Sequence, residues 1–388
     1  MPPMSSTTVR QQRIATARRV VVKVGTNSIT GENGRLDHKV LGDFARQIAD
    51  VIHQGREIIL VASGAVGAGL AELDLPGRPR ELPMLQATAA VGQGRLMQAF
   101  YEAFGGHDVK VAQVLVTRDA FEDRRRYLNI RNTLTTLAGL HVLPILNEND
   151  AVAVDEIRYG TDVFSARFGD NDTIAAHVAN MLDAQVLILL SNVDGVLDGG
   201  AVIDVIEQVN DDALSVVSAT RSKLGSGGMG SKMKAAGMVT SAGNVAVIAN
   251  SRTRDIIPRL LAGEQLGTVF IPALRRMSSR RRWIGQTSHS SGKILVDSGA
   301  AAALRQRGKS LLPSGIVAVS GSFARGAVVD ILDPAGQSVA RGVTNFSAAD
   351  IDRVKGMKSA DITRLTLLGD NAATEVVHRN NMTMTNGQ

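Results

Sequence analysis

Leu143-Pro-Ile-Leu-Asn-Glu-Asn-Asp150 opens as an apolar run and ends abruptly in amide and carboxylate side chains. A buried strand has this composition where it emerges into a cleft. Asn147, Glu148, Asn149 and Asp150 are therefore expected at the mouth of a sheet. The sequel, Phe168-Gly-Asp-Asn-Asp172, repeats the polar signature just before Thr173-Ile-Ala-Ala-His-Val-Ala-Asn-Met181, which has helical periodicity. Polar residues at a helix start can be simple caps. Two such clusters so close together, each beside an apolar element, favour a ligand site.

Working outward, Val20-Val-Val-Lys-Val24 reads as a buried strand with Gly25-Thr-Asn-Ser28 as its exit loop. Further strands are read at Glu57 to Ala62, Val109 to Val116, Val142 to Leu146, Gln185 to Leu190 and Asn244 to Ala249. Between them, His38 to His53, Met84 to Phe104 and Tyr127 to Leu140 have helical patterning. Continuous β-branched strands alternating with helices predict an α/β fold, a three-layer sandwich with a mainly parallel central sheet.

The character changes at Arg275-Arg-Met-Ser-Ser-Arg-Arg-Arg282, where a basic, Ser-rich segment runs to Ser291. Beyond it, Ile294-Leu-Val296, Gly315 to Ser320 and Ala327 to Leu332 read as short strands, with one helix near Ala300 to Arg307. The boundaries so drawn are a disordered tail over 1–17, a catalytic domain over 18–274, a linker over 275–291 and a small, mostly β domain over 292–382.

The 388 residues point to two or three domains, and 44% hydrophobic residues suffice for a full core. The absence of cysteine excludes disulfides, thiolate metal sites and cysteine nucleophiles, and fits a reducing compartment. No apolar run reaches the length of a membrane span, and Met1 to Ala17 lacks the apolar region of a signal peptide. A cytoplasmic location is the expectation. The net charge of +6 permits an anionic ligand or RNA and selects neither.

Lys23 interrupts an apolar strand, where a buried ammonium is costly. It is either an edge-strand lysine reaching water or a lysine at the C-terminal rim reaching an anion. Ser63-Gly-Ala-Val-Gly-Ala-Gly69 offers backbone N–H groups to an anion, or else provides close packing. Gly225-Ser-Gly-Gly-Met-Gly-Ser-Lys232 contains G-x-G-x-x-G, but no clear strand precedes it and no acid follows at the spacing a ribose needs. It also misses the P-loop pattern, because Lys232 comes one residue late. A glycine-rich loop that opens a helix over Ser231 to Ala242 and carries a lysine still suits phosphate oxygens. Ser191-Asn-Val-Asp-Gly195 ends a very apolar strand and is a rim residue set or a plain turn. Arg124-Arg-Arg126 and Arg280-Arg-Arg282 read as solvated surface before phosphate contacts. The seven histidines show no ligand spacing.

With these residues in hand, the chain resembles the glutamate 5-kinases of the amino acid kinase family. The resemblance runs from about Arg18 to His378, in order. It rests on Val21-Val-Lys-Val-Gly-Thr26, Ala62-Ser-Gly-Ala-Val-Gly-Ala-Gly69, Ala89-Ala-Val-Gly-Gln93, Asn147-Glu-Asn-Asp150, Phe168-Gly-Asp-Asn-Asp172 and Gly227-Gly-Met-Gly-Ser-Lys232. The tail from Gly292 resembles a PUA domain.

The resemblance implies transfer of the ATP γ-phosphoryl group to the side-chain carboxylate of L-glutamate, the first step of proline synthesis. Ser63, Asp150 and Asn171 are then expected to bind glutamate. Lys23 and Lys232 would hold the transferring group, and Asp172 would orient both lysines. Lys23, Ser191, Asn192, Ser226, Gly227, Gly228, Met229, Gly230, Ser231 and Lys232 would line the ATP pocket. Mg²⁺ would be held mainly by the ATP phosphates rather than by a protein metal site. Proline is the expected inhibitor. The family suggests homodimers or homotetramers; the sequence leaves docking of glutamate-5-semialdehyde dehydrogenase open, and scarce aromatics weigh against an RNA role for the tail.

Three features depart from the family pattern. Ile157-Arg-Tyr-Gly-Thr-Asp162 and Ala166-Arg-Phe-Gly-Asp-Asn171 read like one phrase written twice, and the second copy keeps the full motif. Asn192 stands where members usually carry Asp. Val196 to Ile203 looks short. The rival readings are a kinase for aspartate, acetylglutamate, carbamate or a nucleoside monophosphate, and an RNA-binding or RNA-modifying protein.

Overall fold

The computed structural model describes residues 6–31, 35–152, 171–207, 209, 228–272, 284, 290–357 and 375–385. The chain divides into two compact units, Met1–Arg276 and Met277–Gln388.

The first unit is built on strands β1 (Arg19–Val24), β2 (Glu57–Ala62), β3 (Val111–Val116), β4 (Leu143–Glu148), β5 (Val186–Ser191), β6 (Leu197–Asp198), β7 (Ala201–Val202), β8 (Val205–Ile206), β9 (Val245–Asn250) and β10 (Thr268–Phe270). Eight of them form one sheet in the order β3-β4-β2-β1-β5-β9-β10-β8, while β6 and β7 pair separately. All neighbours are parallel except β9 and β10. The mainly parallel α/β expectation therefore holds, and β10 is the antiparallel departure. With only three residues in β10 and two in β8, neither carries a readable hydrophobic pattern.

Because β1 lies between β2 and β5, Lys23 is not on an edge strand. Strand alternation then decides its direction. Val20, Val22 and Val24 enter the core with Phe44 and Ile48 of the helix His38–His53 and with Leu96 and Phe100 of the helix Leu82–Gly105. Lys23 shares the other face with Val21. There the helix Asn171–Leu182 packs on β1 and β5, and the helix Met229–Ser241 packs on it in turn.

The end of the small-residue run after β2 serves close packing. Ala65–Glu72 is itself helical. A Cβ on Gly92 would stand 1.8 Å from Ala65 O, and one on Gly69 would stand 1.9 Å from Thr88 O. Helices Ala65–Glu72 and Leu82–Gly105 therefore cross backbone to backbone, which only glycine permits.

The tail expected to be disordered over 1–17 is ordered from Ser6 onward, in helical turns at Ser6–Val9 and Arg10–Ile14. Val9, Ile14 and Ala17 join the core. Arg10, buried to 1% exposure, donates to Leu266 O at 2.9 Å and to Glu264 O and Gly267 O at 3.2 Å. It also pairs with Asp204 at 2.8 Å. A guanidinium has five donors, and four acceptors here compensate its burial. Nothing local in the sequence marks Arg10, because its partners lie 194 to 257 residues further along the chain.

The second unit holds β11 (Gly292–Val296), β12 (Ile316–Ser320), β13 (Val328–Leu332), β14 (Ser338–Thr344) and β15 (Val377–Met384) in the order β12-β11-β13-β14-β15. Its helix Ser298–Arg307 is capped by Asp297 and the helix Ala348–Val354 by Ser347. Ile294, Val329, Ile331, Val339 and Ile351 form a core of their own. This is the small, mostly β architecture expected beyond Gly292. Among the described residues, no helix is long and apolar enough to cross a membrane.

Candidate active site

The parallel strands β1, β2, β4 and β5 end along one rim, with Val24 beside Ala62 and Lys23 beside Leu189. The helix Asn171–Leu182 starts there, and its first turn carries Asn171 and Asp172, which are 4% and 1% exposed. Lys232 enters from the first turn of the helix Met229–Ser241, whose N-cap is Gly228.

Asp172 lies between two lysines from opposite ends of the unit. Lys23 Nζ stands 2.9 Å from Oδ1, and Lys232 Nζ stands 3.2 Å from Oδ2. Ser231 Oγ, 2.7 Å from Oδ2 and 2.8 Å from Gly228 O, has one proton to give to either acceptor. Burial alone would raise the Asp172 pKa. The ammonium groups of Lys23 and Lys232 and the hydrogen bonds from Lys23 and Ser231 outweigh it and hold the carboxyl at about 2. Two buried ammonium groups against one carboxylate leave a local excess of positive charge. That excess, beside a helix N-terminus, suits phosphoryl oxygens. Among the described residues no group of three or more His, Asp or Glu could hold a metal ion.

Beside this cluster runs an amide network. Asn171 Nδ2 donates to Ser63 Oγ at 2.9 Å and to Asn147 Oδ1 at 3.0 Å. Asn147 Nδ2 donates to Gln93 Oε1 at 2.8 Å, and Glu148 N donates to Asn147 Oδ1 at 2.9 Å. Asp150, half-buried just beyond β4, has its pKa pushed up by burial, against the pull of Arg78, to about 6.

The structure thus brings together Lys23, Asp172, Lys232 and Ser231, and next to them Ser63 and Asn171. Ser191 is buried at the end of β5, where its carbonyl accepts from Ser251 N at 2.8 Å, and Asn192 is exposed. Gly228 is exposed, and Met229 and Gly230 are half-buried. Ser226, Gly227 and the duplicated phrase over 157–170 lie outside the described residues. Sequence reasoning gave no role to Gln93, to Arg78 or to the hydroxyl of Ser231 as a partner of Asp172. Gln93 closes the Ala89-Ala-Val-Gly-Gln93 motif. Its place opposite Asn147 was the missing signal.

The amino acid kinase family model matches residues 18–250, and the PUA domain model matches residues 292–366. A glutamate 5-kinase of Geobacter sp. (strain M21) is 41% identical over 383 residues, covering 97% of this chain and 100% of that one. Those of Caldanaerobacter subterraneus subsp. tengcongensis and Moorella thermoacetica are each 42% identical, over 371 and 384 residues, covering 94% and 97% of this chain and 97% and 99% of theirs. Among solved structures, carbamate kinase from Giardia lamblia bound to AMP-PNP aligns at 19% identity with a TM-score of 0.47, covering 67% of this chain and all of that one. Family models over most of the chain, and relatives of its full length, agree: the chain belongs to the amino acid kinase family, within the glutamate 5-kinases, with a PUA domain following in the sequence.

Proposed function

We propose that the chain transfers the γ-phosphoryl group of ATP to the side-chain carboxylate of L-glutamate, forming L-glutamyl 5-phosphate in the first step of proline biosynthesis. The observation that carries this reading is the buried Lys23–Asp172–Lys232 bridge at the strand rim. Full-length relatives named glutamate 5-kinase supply the acceptor.

A glutamate side chain, with a pKa of about 4.3, is ionised at neutral pH and needs no general base. One carboxylate oxygen bonds to the γ-phosphorus while the bond to the β-phosphate bridging oxygen breaks, and ADP leaves with that electron pair. The obstacle is repulsion between the two anions. Phosphoryl transfer is governed by positioning and charge stabilisation, which two aimed ammonium groups provide. Asp172 fixes their aim and keeps their mutual repulsion small. Mg²⁺ bound to the triphosphate would neutralise further phosphate charge. The lysine-rich donor set fits that arrangement, with the ion carried on the phosphates rather than in a protein cage.

Ser63, Asn171 and Asp150 are proposed to hold glutamate, and the stretch from Gly228 to Lys232, with Ser191, the nucleotide. Proline is proposed to compete at the glutamate site near Asp150. The test is ATP turnover with L-glutamate, with hydroxylamine trapping the acyl phosphate as a hydroxamate. Hydroxamate that depends on both substrates is expected. ADP release without it would refute the carboxyl acceptor.

A further inference from the structure

The amide network has a direction, and a main-chain group dictates it. A backbone N–H can only donate, so the Asn147 atom facing Glu148 N must be its oxygen. The same oxygen faces the Asn171 amide, so the Asn171 atom there must be nitrogen. Asn147 then turns its own nitrogen to Gln93, whose facing atom must be oxygen. The Asn171 nitrogen spends its two hydrogens on Asn147 Oδ1 and Ser63 Oγ. Among the described residues, its Oδ1 is buried and has no hydrogen-bond partner. An amide oxygen in that state is costly until a donor arrives. Ser63, already accepting from Asn171, keeps its own proton to offer to a carboxylate.

We infer that this relay, set by the Glu148 N–H and held by Asn147 and Gln93, makes Asn171 Oδ1 the acceptor for a free α-ammonium group, and so selects an unmodified amino acid. The inference rests on the glutamate kinase reading and deepens it. A deaminated diacid brings no donor to Asn171 Oδ1. An N-acylated amino acid brings one neutral N–H and a bulky group in place of three charged hydrogens. Gln93 and Asn147 act through Asn171, so they are positioning residues for specificity.

The experiment compares kcat/KM for L-glutamate, glutarate and N-acetyl-L-glutamate in the wild type, Asn147→Leu, Gln93→Met and Gln93→Glu. The wild type is expected to prefer glutamate over glutarate by about 100-fold or more, the size of a lost hydrogen bond to a charged group in a buried site. Asn147→Leu frees Asn171 to turn its amide. The preference then drops by roughly 10- to 100-fold while KM for ATP holds. Gln93→Met moves the preference the same way. Gln93→Glu, which keeps an acceptor for Asn147, recovers it. The relay is overturned if wild type uses glutarate as well as glutamate. It is also overturned if Asn147→Leu, folded by circular dichroism, keeps the full preference. Should that variant not fold, the Gln93 pair decides in the same way. No phosphorylation of any acceptor by wild type would sink the kinase reading instead. Calorimetric binding of glutamate against glutarate would then still test the relay.

Discussion

Lys23 and Lys232 share one carboxylate, each taking a different oxygen of Asp172. A buried carboxylate with two cationic partners cannot lose its charge without stranding both. Asp172→Asn is expected to abolish detectable turnover and to destabilise the fold by about 3–5 kcal/mol, the usual cost of breaking a buried ion pair from one side. Chemical denaturation at pH 7 measures the second effect. A midpoint equal to wild type would show that the bridge contributes nothing to the fold.

Lys23→Met and Lys232→Met each remove one donor and leave a balanced one-to-one pair. Each is expected to lower kcat by roughly 10²–10³ with little change in the melting temperature. The hydroxamate assay and a thermal melt on the same preparation separate the two readouts. Turnover near wild type in either variant contradicts the assignment.

Asp150 carries a pH dependence. Its carboxyl titrates at about 6, well above the ordinary value, so it gains a proton as pH falls through 6 while the glutamate side chain is still ionised. A protonated Asp150 no longer attracts an ammonium group. The expected outcome is a fall in kcat/KM for glutamate below about pH 6, approaching tenfold per pH unit. Asp150→Asn should flatten that limb. A profile level down to pH 5 would argue against the role.

His177, stacked on Phe121 at 5.1 Å, is kept neutral by burial, aided by Arg118, with a pKa of about 4. Between its ordinary value near 6.5 and 4, the unfolded chain binds a proton that the folded chain refuses. Stability is complete above pH 6.5 and is lost as pH falls toward 4, by up to about 3 kcal/mol. His177→Leu should reduce that slope between pH 7 and 5 in thermal melts.

The backbone crossing makes a sharper packing prediction. Gly92→Ala would put a methyl group into Ala65 O, so the helices must separate. A loss of about 1–3 kcal/mol or more is expected in denaturant unfolding, with Gly94→Ala, where a Cβ meets open space, as the neutral comparison.

Much of this architecture was legible because buried parallel strands announce themselves. Glu57–Ala62 and His38–His53 were read to the residue, since a β-branched run and a regular apolar stripe each end in polar or turn residues. Asn171 and Asp172 stood out as amide and acid at a helix start. The meeting of Lys23 with Lys232 was different, because no spacing rule joins residues so far apart, and only the family resemblance supplied it. The packed segment from Val9 to Ala17 was missed because Val9, Ile14 and Ala17 are too few and too unevenly spaced to make a periodic signal. β8 and β10 were missed because they are too short to have one. Gln93 escaped because a glutamine on a partly exposed helix looks like any solvated residue until its partner is seen.

The Glu148 N–H belongs to the chain's backbone, and that shields the relay from drift. Side-chain substitution at position 148 leaves that hydrogen in place. Only proline would delete it, and proline at the end of β4 would also disturb the strand. Evolution can therefore retune how tightly this pocket grips its amino acid by changing neighbouring side chains, yet the sense of the grip is written into the peptide bond itself.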